Sequence, residues 1–400
     1  MTQDLDVLIA GGGLVGLTLA LALSGSGLRV RLVDPAPAQL NLADERHLAL
    51  SAVTVRSLRA LGAFPEQAAE PIRAIHISSA GEFGAVRWSA AEAGRADFGQ
   101  VVAARTLLGT LRAAAAQRAD LELTARAEVA LVQSHEQAVH ASVRDLDSGE
   151  QSPLRARLLV IADGVESRLR AAAGIGVTRH DYQRSAICCA LWPERAHQGV
   201  AYERFTRSGP IALLPQEQGR CGAVWVVPQE DVDARMALPD TEFLRALQEA
   251  FGYRLGRFRR VGTRLAYPLR RVLAERLTAP RQVLIGNAAQ AVHPVGAQGF
   301  NLGLRDATAL AEALRAAQQA GTDPGAEALL ASYAEARQAD RRATTGLSHA
   351  LALGTSIDAA PMRWLRSLAL LAADRLEPLR EHLQLGGMGY RGHTALWARR

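Results

Sequence analysis

A glycine signature near the start of the chain constrains its fold more than any other feature. Val7-Leu8-Ile9-Ala10 is a short apolar run that reads as a strand. Gly11-x-Gly13-x-x-Gly16 follows at once, and Leu14 to Leu23 is apolar nearly all round, as a buried helix is. Arg29 to Val33 is a second strand-like run that closes on Asp34. Together they predict a β-α-β unit in a parallel sheet. Gly11 permits the tight turn, Gly13 lets a pyrophosphate approach the backbone, and Gly16 lets helix and strand pack closely. The helix N-terminus then offers unpaired N–H groups and a positive dipole end to the phosphates. Asp34, eighteen residues beyond Gly16, is placed to accept hydrogen bonds from the adenosine ribose. This pattern predicts dinucleotide binding but does not separate NAD from FAD. The competing reading is a Gly-rich turn in an unrelated parallel sheet, with Asp34 merely capping a loop.

Composition narrows the choice by exclusion. The 400 residues exceed what one compact core usually holds, so two interleaved domains are expected. The three cysteines, Cys188, Cys189 and Cys221, fit neither a disulfide framework nor a zinc site, and a reducing cytoplasm suits them; no metal is expected. No lysine occurs, which removes P-loop kinases, pyridoxal-phosphate enzymes and lysine Schiff bases. The net charge of +6 is carried by scattered arginines without a basic block, so a mildly basic enzyme is expected and nucleic acid is not. Val7 to Leu28 lacks charge but is interrupted by six glycines and preceded by Asp4 and Asp6, which argues against a signal peptide or membrane span.

Further along, helical pattern is read from about Ala49 to Leu61 and from Arg105 to Gln117, with strands and turns from Ile75 to Gly99 and a hairpin-like excursion over Leu121–Val132 and Ala138–Asp145. Leu158 to Ala162 returns as a strand and ends on Asp163-Gly164. From about Gly176 to Pro268, short β-type runs at Ile187–Leu191, Gly209–Leu214 and Ala223–Val227 predict a mostly antiparallel sheet walling a cleft. Val283-Leu284-Ile285 reverts to the nucleotide-domain style, and the chain beyond Asn301 reads as helical. The expected fold is α/β: a discontinuous Rossmann-like domain (1–75, 100–175 and 269–345) is interleaved with a mostly antiparallel substrate domain (76–99 and 176–268), and a helical C-terminal region spans 346–400.

A second glycine-rich turn runs from Gly286-Asn287 through His293-Pro294 and Gly296 to Gly299-Phe300-Asn301 and Asp306. A strand is expected to end near Asn287 and a helix containing Gly303 to begin near Phe300. Backbone of this kind approaches a flat ring closely, and the helix N-terminus can stabilise negative charge on a reduced isoalloxazine. Here the chain resembles the flavoprotein aromatic hydroxylases of the para-hydroxybenzoate hydroxylase type, from residue 4 to about residue 345. In that family the second motif begins Gly-Asp; Asn287 stands at the Asp position and Gln290 where many relatives have histidine. Gly-Asn-Ala-Ala-Gln with His-Pro and Gln-Gly-Phe-Asn-Leu-Gly-Leu-Arg-Asp resembles the branch that hydroxylates 2-polyprenyl-6-methoxyphenol in ubiquinone biosynthesis.

The resemblance implies FAD as cofactor and NAD(P)H as donor. It assigns cofactor contacts to Gly11, Gly13, Gly16, Asp34, Gly286, Asn287, Pro294, Gly299, Phe300 and Asn301. Arg46, within Arg46-His47-Leu48-Ala49-Leu50-Ser51, matches the arginine that meets the flavin, and Gln100 and Arg105 match residues that open a helix and hold the cofactor. Asp163, in Asp163-Gly164-x-x-Ser167-x-x-Arg170, matches a motif shared between FAD and the nicotinamide pyrophosphate. Singly, each is also readable as a turn or a solvated helix face. Tyr202, Leu213 and Pro215 are expected on the substrate wall, ordinary core strands being the alternative. His293 with Pro294 is the catalytic candidate, set against a purely positional role. The implied cycle runs through a C4a-hydroperoxyflavin, consumes O2 and turns a polyprenylated phenol into a hydroquinone. Two alternatives are a hydroxylase of another aromatic or polyketide substrate and a non-catalytic FAD-binding subunit of a quinone-biosynthesis complex. A prenylated substrate implies partners among ubiquinone-biosynthesis proteins or peripheral contact with the inner membrane from the cytoplasm. Pro361 to Leu371, with Trp364 and its arginines, suits an interfacial helix and equally suits packing against the flavin domain.

Overall fold

A computed structural model describes residues 4–37, 46–354 and 360–390; residues 1–3, 38–45, 355–359 and 391–400 of the expected domains lie outside them. The N-terminal unit forms as expected: strand Asp4–Ala10, helix Leu14–Leu23, strand Val30–Asp34. Five parallel strands follow in the order Gln282–Leu284, Gln151–Ile161, Asp4–Ala10, Val30–Asp34, Leu121–Ala125. A hairpin, Ala127–Ser134 with Val139–Asp145, pairs antiparallel with the first half of Gln151–Ile161. Helix Leu14–Leu23 is apolar on every side because it packs against helices Gln298–Gln319 and Ala104–Ala116 as well as the sheet.

The second sheet has nine strands and is antiparallel except where Val200–Thr206 runs parallel to Ala74–Ser79. Its long strand, Val177–Pro193, absorbs the short Ile187–Leu191 run; a register shift between Asp181 and Ser185, at Gln183 with φ of 52°, bends it. Strand Leu265–Ala274 pairs with it on both sides of residue 268, so this sheet reaches past the expected boundary. One face of the sheet is sealed by helix Asp240–Phe251, with Ile187, Ile211, Leu213 and Trp225 packed against Phe243 and Phe251.

A third, small sheet joins His47–Ser51, Gly99–Ala103 and Ala69–Pro71. Two expectations are corrected here. Ala49 to Ser51 is strand, and the helix is Ala52–Ala60, because Ser51 caps it by accepting from the Thr54 N–H at 3.2 Å. Gln100 does not open a helix but lies mid-strand between Leu50 and Pro71; Arg105 alone is in the first turn of Ala104–Ala116. The C-terminal helix Ala360–Arg375 docks on strand Ala85–Ser89 of the antiparallel sheet, not on the flavin domain: Trp88 Nε1 donates to Ala373 O (3.3 Å), the Arg87 N–H donates to Asp374 (2.8 Å), and Arg366 pairs with Glu82.

Candidate active site

The first turn is built from close approaches that only glycine permits. Gly11 sits at φ 112°, and a Cβ there would lie 2.4 Å from Ala162 O; a Cβ on Gly16 would lie 1.9 Å from Gly11 O. Gly13 differs, since no atom stands within 4 Å of where its Cβ would be. It occupies the N-cap of helix Leu14–Leu23, which has no capping side chain and no acid in its first turn. The positive end of that helix therefore faces open space. Asp34 closes the turn, accepting from the N–H groups of Gly12 and Ala36 (2.8 Å), with Arg112 at 3.7 Å.

Val15, on the first turn of this helix, joins the two glycine motifs. A Cβ on Gly286 would meet Val15 at 3.0 Å and one on Gly303 at 2.7 Å, so both glycines exist to admit this side chain. Gly286–Ala288 is a single 3-10 turn that leaves Asn287 exposed. After Pro294, Gly296 (φ 72°) and Ala297 (φ 51°) turn the chain into helix Gln298–Gln319, which also lacks a capping side chain. The N–H groups of Gln298, Gly299 and Phe300 open that helix.

Asn301 is corrected from cofactor ligand to fastener. Its Oδ1 accepts from Ser51 N (2.9 Å) and Thr54 Oγ1 (2.7 Å), and its Nδ2 donates to Ala49 O (3.0 Å) and Ala297 O (2.8 Å). All its hydrogen-bonding capacity is used. Gln290 is likewise structural, buried between Asp306, to which its Nε2 donates, and Arg341 Nε (2.9 Å). Asp306 accepts from Gly286 N (3.2 Å) and from Arg337 Nε (2.8 Å); Arg337 in turn contacts Asp340 (2.8 Å), which also accepts from Arg305 Nε (2.8 Å). This buried network, which the motif reading did not anticipate, holds the second turn from beneath.

His293 is corrected too. The ring is buried, its Nδ1 accepts from Val295 N (3.1 Å), and Tyr182 stands edge-on at 5.0 Å. Burial, reinforced by Arg184, pushes its pKa down to about 4, so it is neutral at neutral pH, with Nδ1 held by the loop. Pro294 begins the next turn and shapes backbone.

Around these motifs, Asp163 carries a buried Oδ1 with no partner among the described residues, and burial raises its pKa. Arg170 ties that segment to the second turn by donating to Ala288 O (2.9 Å) and Val165 O (3.0 Å). Arg46 lies 5.4 Å over the Tyr267 ring, and its carbonyl accepts from Ala104 N (2.9 Å), one residue before Arg105.

The substrate-wall assignment falls on the wrong face. Tyr202 pairs with Leu213, and strand alternation puts Pro215 with them; this face packs on helix Asp240–Phe251, with Tyr202 edge-on to Phe251 at 5.7 Å and Leu213 fully buried. A shift of one residue inverts a strand's faces. The face turned to the flavin motifs carries Glu203, Ala212, Leu214, Gly222 and Val224 instead. A Cβ on Gly222 would lie 3.1 Å from the His47 ring, which fixes where this face meets the Arg46–Ser51 segment. Glu203, within the stretch Tyr202–Phe205 that resembles a cavity-facing strand of the family, is the functional candidate passed over in favour of Tyr202. A lone carboxylate among apolar cross-strand neighbours was the available signal.

These residues fit FAD. An open Gly13, two uncapped helix ends, an exposed Asn287 and the orphaned Asp163 Oδ1 belong to segments that touch one another through Gly11 at Ala162, Gly286 at Val15 and Arg170 at Ala288. Comparison with known proteins agrees. The FAD binding domain family matches residues 4–347. Ubiquinone hydroxylase UbiL of Rhodospirillum rubrum is 36% identical over 96% of this chain and 89% of its own length. The 3-demethoxyubiquinol 3-hydroxylase of Escherichia coli is 30% identical over 93% of this chain and 95% of its own length. Among solved structures, p-nitrophenol 4-monooxygenase PnpA from Pseudomonas putida DLL-E4 superposes with a TM-score of 0.80 at 18% identity, over 97% of this chain and 99% of that one, a likeness of fold. The chain belongs to the FAD binding domain family, alongside the ubiquinone hydroxylases, and is a flavin-dependent hydroxylase.

Proposed function

We propose that this hydroxylase adds oxygen to the aromatic ring of a polyprenylated phenol of the 2-polyprenyl-6-methoxyphenol class in ubiquinone biosynthesis, with NAD(P)H as electron donor. The observation that carries the reading is the meeting of both glycine turns on Val15, in a chain whose relatives include ubiquinone hydroxylases matched over most of their length. Gly11, Gly13, Gly16 and the helix end behind them hold the pyrophosphate, and Asp34 takes the ribose through its remaining lone pairs. Asp163, Arg46, Gln100, Arg105 and Asn287 hold the remainder, Asn287 by neutral hydrogen bonds. The backbone from Gly286 through Pro294 to Gly299 and Phe300 would hold the flavin ring system. Bound FAD, once reduced, supplies an oxygen atom from O2 to the substrate ring. Ala212, Leu214 and Val224 seat that ring and exclude water. The test is purified FAD-loaded protein with NAD(P)H, air and 2-prenylphenol: donor consumption matched by hydroxylated phenol is expected, whereas donor oxidation without that product overturns the reading.

The same reading extends to a membrane surface that delivers the substrate. Among the described residues no helix is long and apolar enough to cross a membrane. Helix Ala360–Arg375, however, exposes Trp364, Leu365, Leu368 and Leu371, with Phe83 against Trp364 at 5.3 Å. Each such side chain contributes about 1.5–3 kcal/mol when buried. Sedimentation with phosphatidylglycerol-containing vesicles should capture the wild type, and the pair Trp364→Asp with Leu368→Asp should weaken capture at least about 10-fold without altering FAD content. Equal capture of the variant overturns this extension.

A further inference from the structure

The antiparallel sheet treats its two faces differently. The face against helix Asp240–Phe251 is sealed, with Ile211, Leu213 and Trp225 at 2% exposure or less. On the opposite face Glu203, Ala212, Leu214, Val224 and Tyr267 all keep intermediate exposure, so this face is not sealed as the other is. Leu214 and Ala201 pack with Ala49, Ala52 and Val101, which places this face against the small sheet carrying the Arg46–Ser51 and Gln100 segments. Glu203 is paired with Ala212 on one side and Ile77 on the other, and it forms no hydrogen bond or ion pair with any described residue. A carboxylate kept on an apolar strand without a partner costs stability unless something else meets it.

We infer that Glu203 is the base that takes the phenolic proton from the ring seated on this sheet face. The inference rests on the hydroxylase reading above and adds to it a named residue and a requirement for an ionisable hydroxyl on the substrate. The phenol O–H bond breaks and a new O–H bond forms on the carboxylate; the electron pair left on oxygen makes the ring carbon para to it nucleophilic. That carbon gains one atom of O2 and then gives up its own proton as the ring regains aromaticity. The other oxygen atom leaves as water, with two electrons from the nicotinamide donor.

The electrostatics suit the task. Burial alone pushes Glu203 up to about 7, the range in which a base is both deprotonated and proton-accepting at physiological pH. No charged partner offsets that burial. His76 on the neighbouring strand and Arg204 on the same strand turn to the other face, against Tyr202 and Ser78. On the C-terminal helix, Arg366 is closed on Glu82 and Asp374 on the Arg87 N–H. His47 stands by Gly222, and Arg46 lies over Tyr267.

The test separates binding from turnover. In FAD-loaded protein without donor, calorimetric titration with 2-prenylphenol should show affinity rising about 10-fold from about pH 6 to about pH 8, as Glu203 ionises. Its methyl ether should bind without that dependence, and Glu203→Gln should flatten the phenol profile. In turnover, Glu203→Gln should lose about 100-fold or more of coupled hydroxylation while NAD(P)H oxidation continues into hydrogen peroxide. Glu203→Asp, which keeps the carboxylate, should restore part of the coupling and serves as the second variant if Glu203→Gln fails to retain FAD. An unchanged pH profile, or wild-type coupling in Glu203→Gln, overturns the inference alone. A pH-dependent phenol affinity in a wild type that does not hydroxylate the prenylphenol leaves Glu203 as the phenol-binding group and overturns the proposed substrate class instead.

Discussion

Replacing Gly16 with alanine is expected to leave the protein without FAD under conditions that saturate the wild type. The added Cβ would sit 1.9 Å from Gly11 O, a backbone atom held by its own packing on Ala162, so helix Leu14–Leu23 must move away from the turn. Overpacking of this kind costs about 1–3 kcal/mol, and the displaced helix end loses its aim at the pyrophosphate. A fall in FAD affinity of about 100-fold or more is expected by equilibrium dialysis. Gly13→Ala is the matched control. Its Cβ meets no protein atom within 4 Å, and its φ of −73° is ordinary, so the apoprotein should melt as the wild type does. Any loss of affinity in Gly13→Ala then reports the space FAD occupies. Undiminished affinity in Gly16→Ala would dissociate this turn from the cofactor.

Asp306→Asn should be the most destabilising single-atom exchange in the nucleotide domain. One carboxylate oxygen accepts from Gly286 N and Gln290 Nε2 and the other from Arg337 Nε, with both charged side chains almost fully buried. Whichever way the amide is turned, an NH2 group faces a donor, and Arg337 keeps only Asp340 as counter-charge. Breaking a buried pair from one side costs about 3–5 kcal/mol, measurable by urea unfolding of the apoprotein. Asp340 adds a pH signature. Burial would raise its pKa, but Arg305 and Arg337 outweigh that and hold it below the ordinary aspartate range. Its contribution is therefore complete above that range and is lost as the pH falls through the lowered value. Acid unfolding of the wild type should draw on this group, and an Asp306→Asn variant as acid-resistant as the wild type would show the network to be dispensable.

The parts of the site that were legible in sequence are those whose chemistry is local. A turn that needs positive φ or a bare Cα announces itself as glycine, so Gly11–Gly16 and Gly286–Gly303 were visible from spacing alone. The roles of Asn301 and Gln290 were not, because the atoms that saturate them come from distant segments; Ser51, Thr54 and Ala49 lie about 250 residues from Asn301. The strands were found but not their parity: in a run as apolar as Gly209–Pro215 alternation carries little information, and Leu213 and Pro215 were placed on the wrong side. Glu203 was passed over for its neighbour Tyr202 for the same reason, although it was the one carboxylate between Ala201 and Phe205.

The wedge that Val15 drives between Gly286 and Gly303 bears on how the protein is made. The phosphate turn is synthesised well before its partner surfaces, which lie some 270 and 290 residues later. A nascent chain therefore exposes the apolar helix Leu14–Leu23 until helix Gln298–Gln319 arrives to cover it. Tight cofactor loading is accordingly a late event in biogenesis. Such long-range closure favours slow assembly, with dependence on chaperones and on flavin supply concentrated at the moment helix Gln298–Gln319 becomes available.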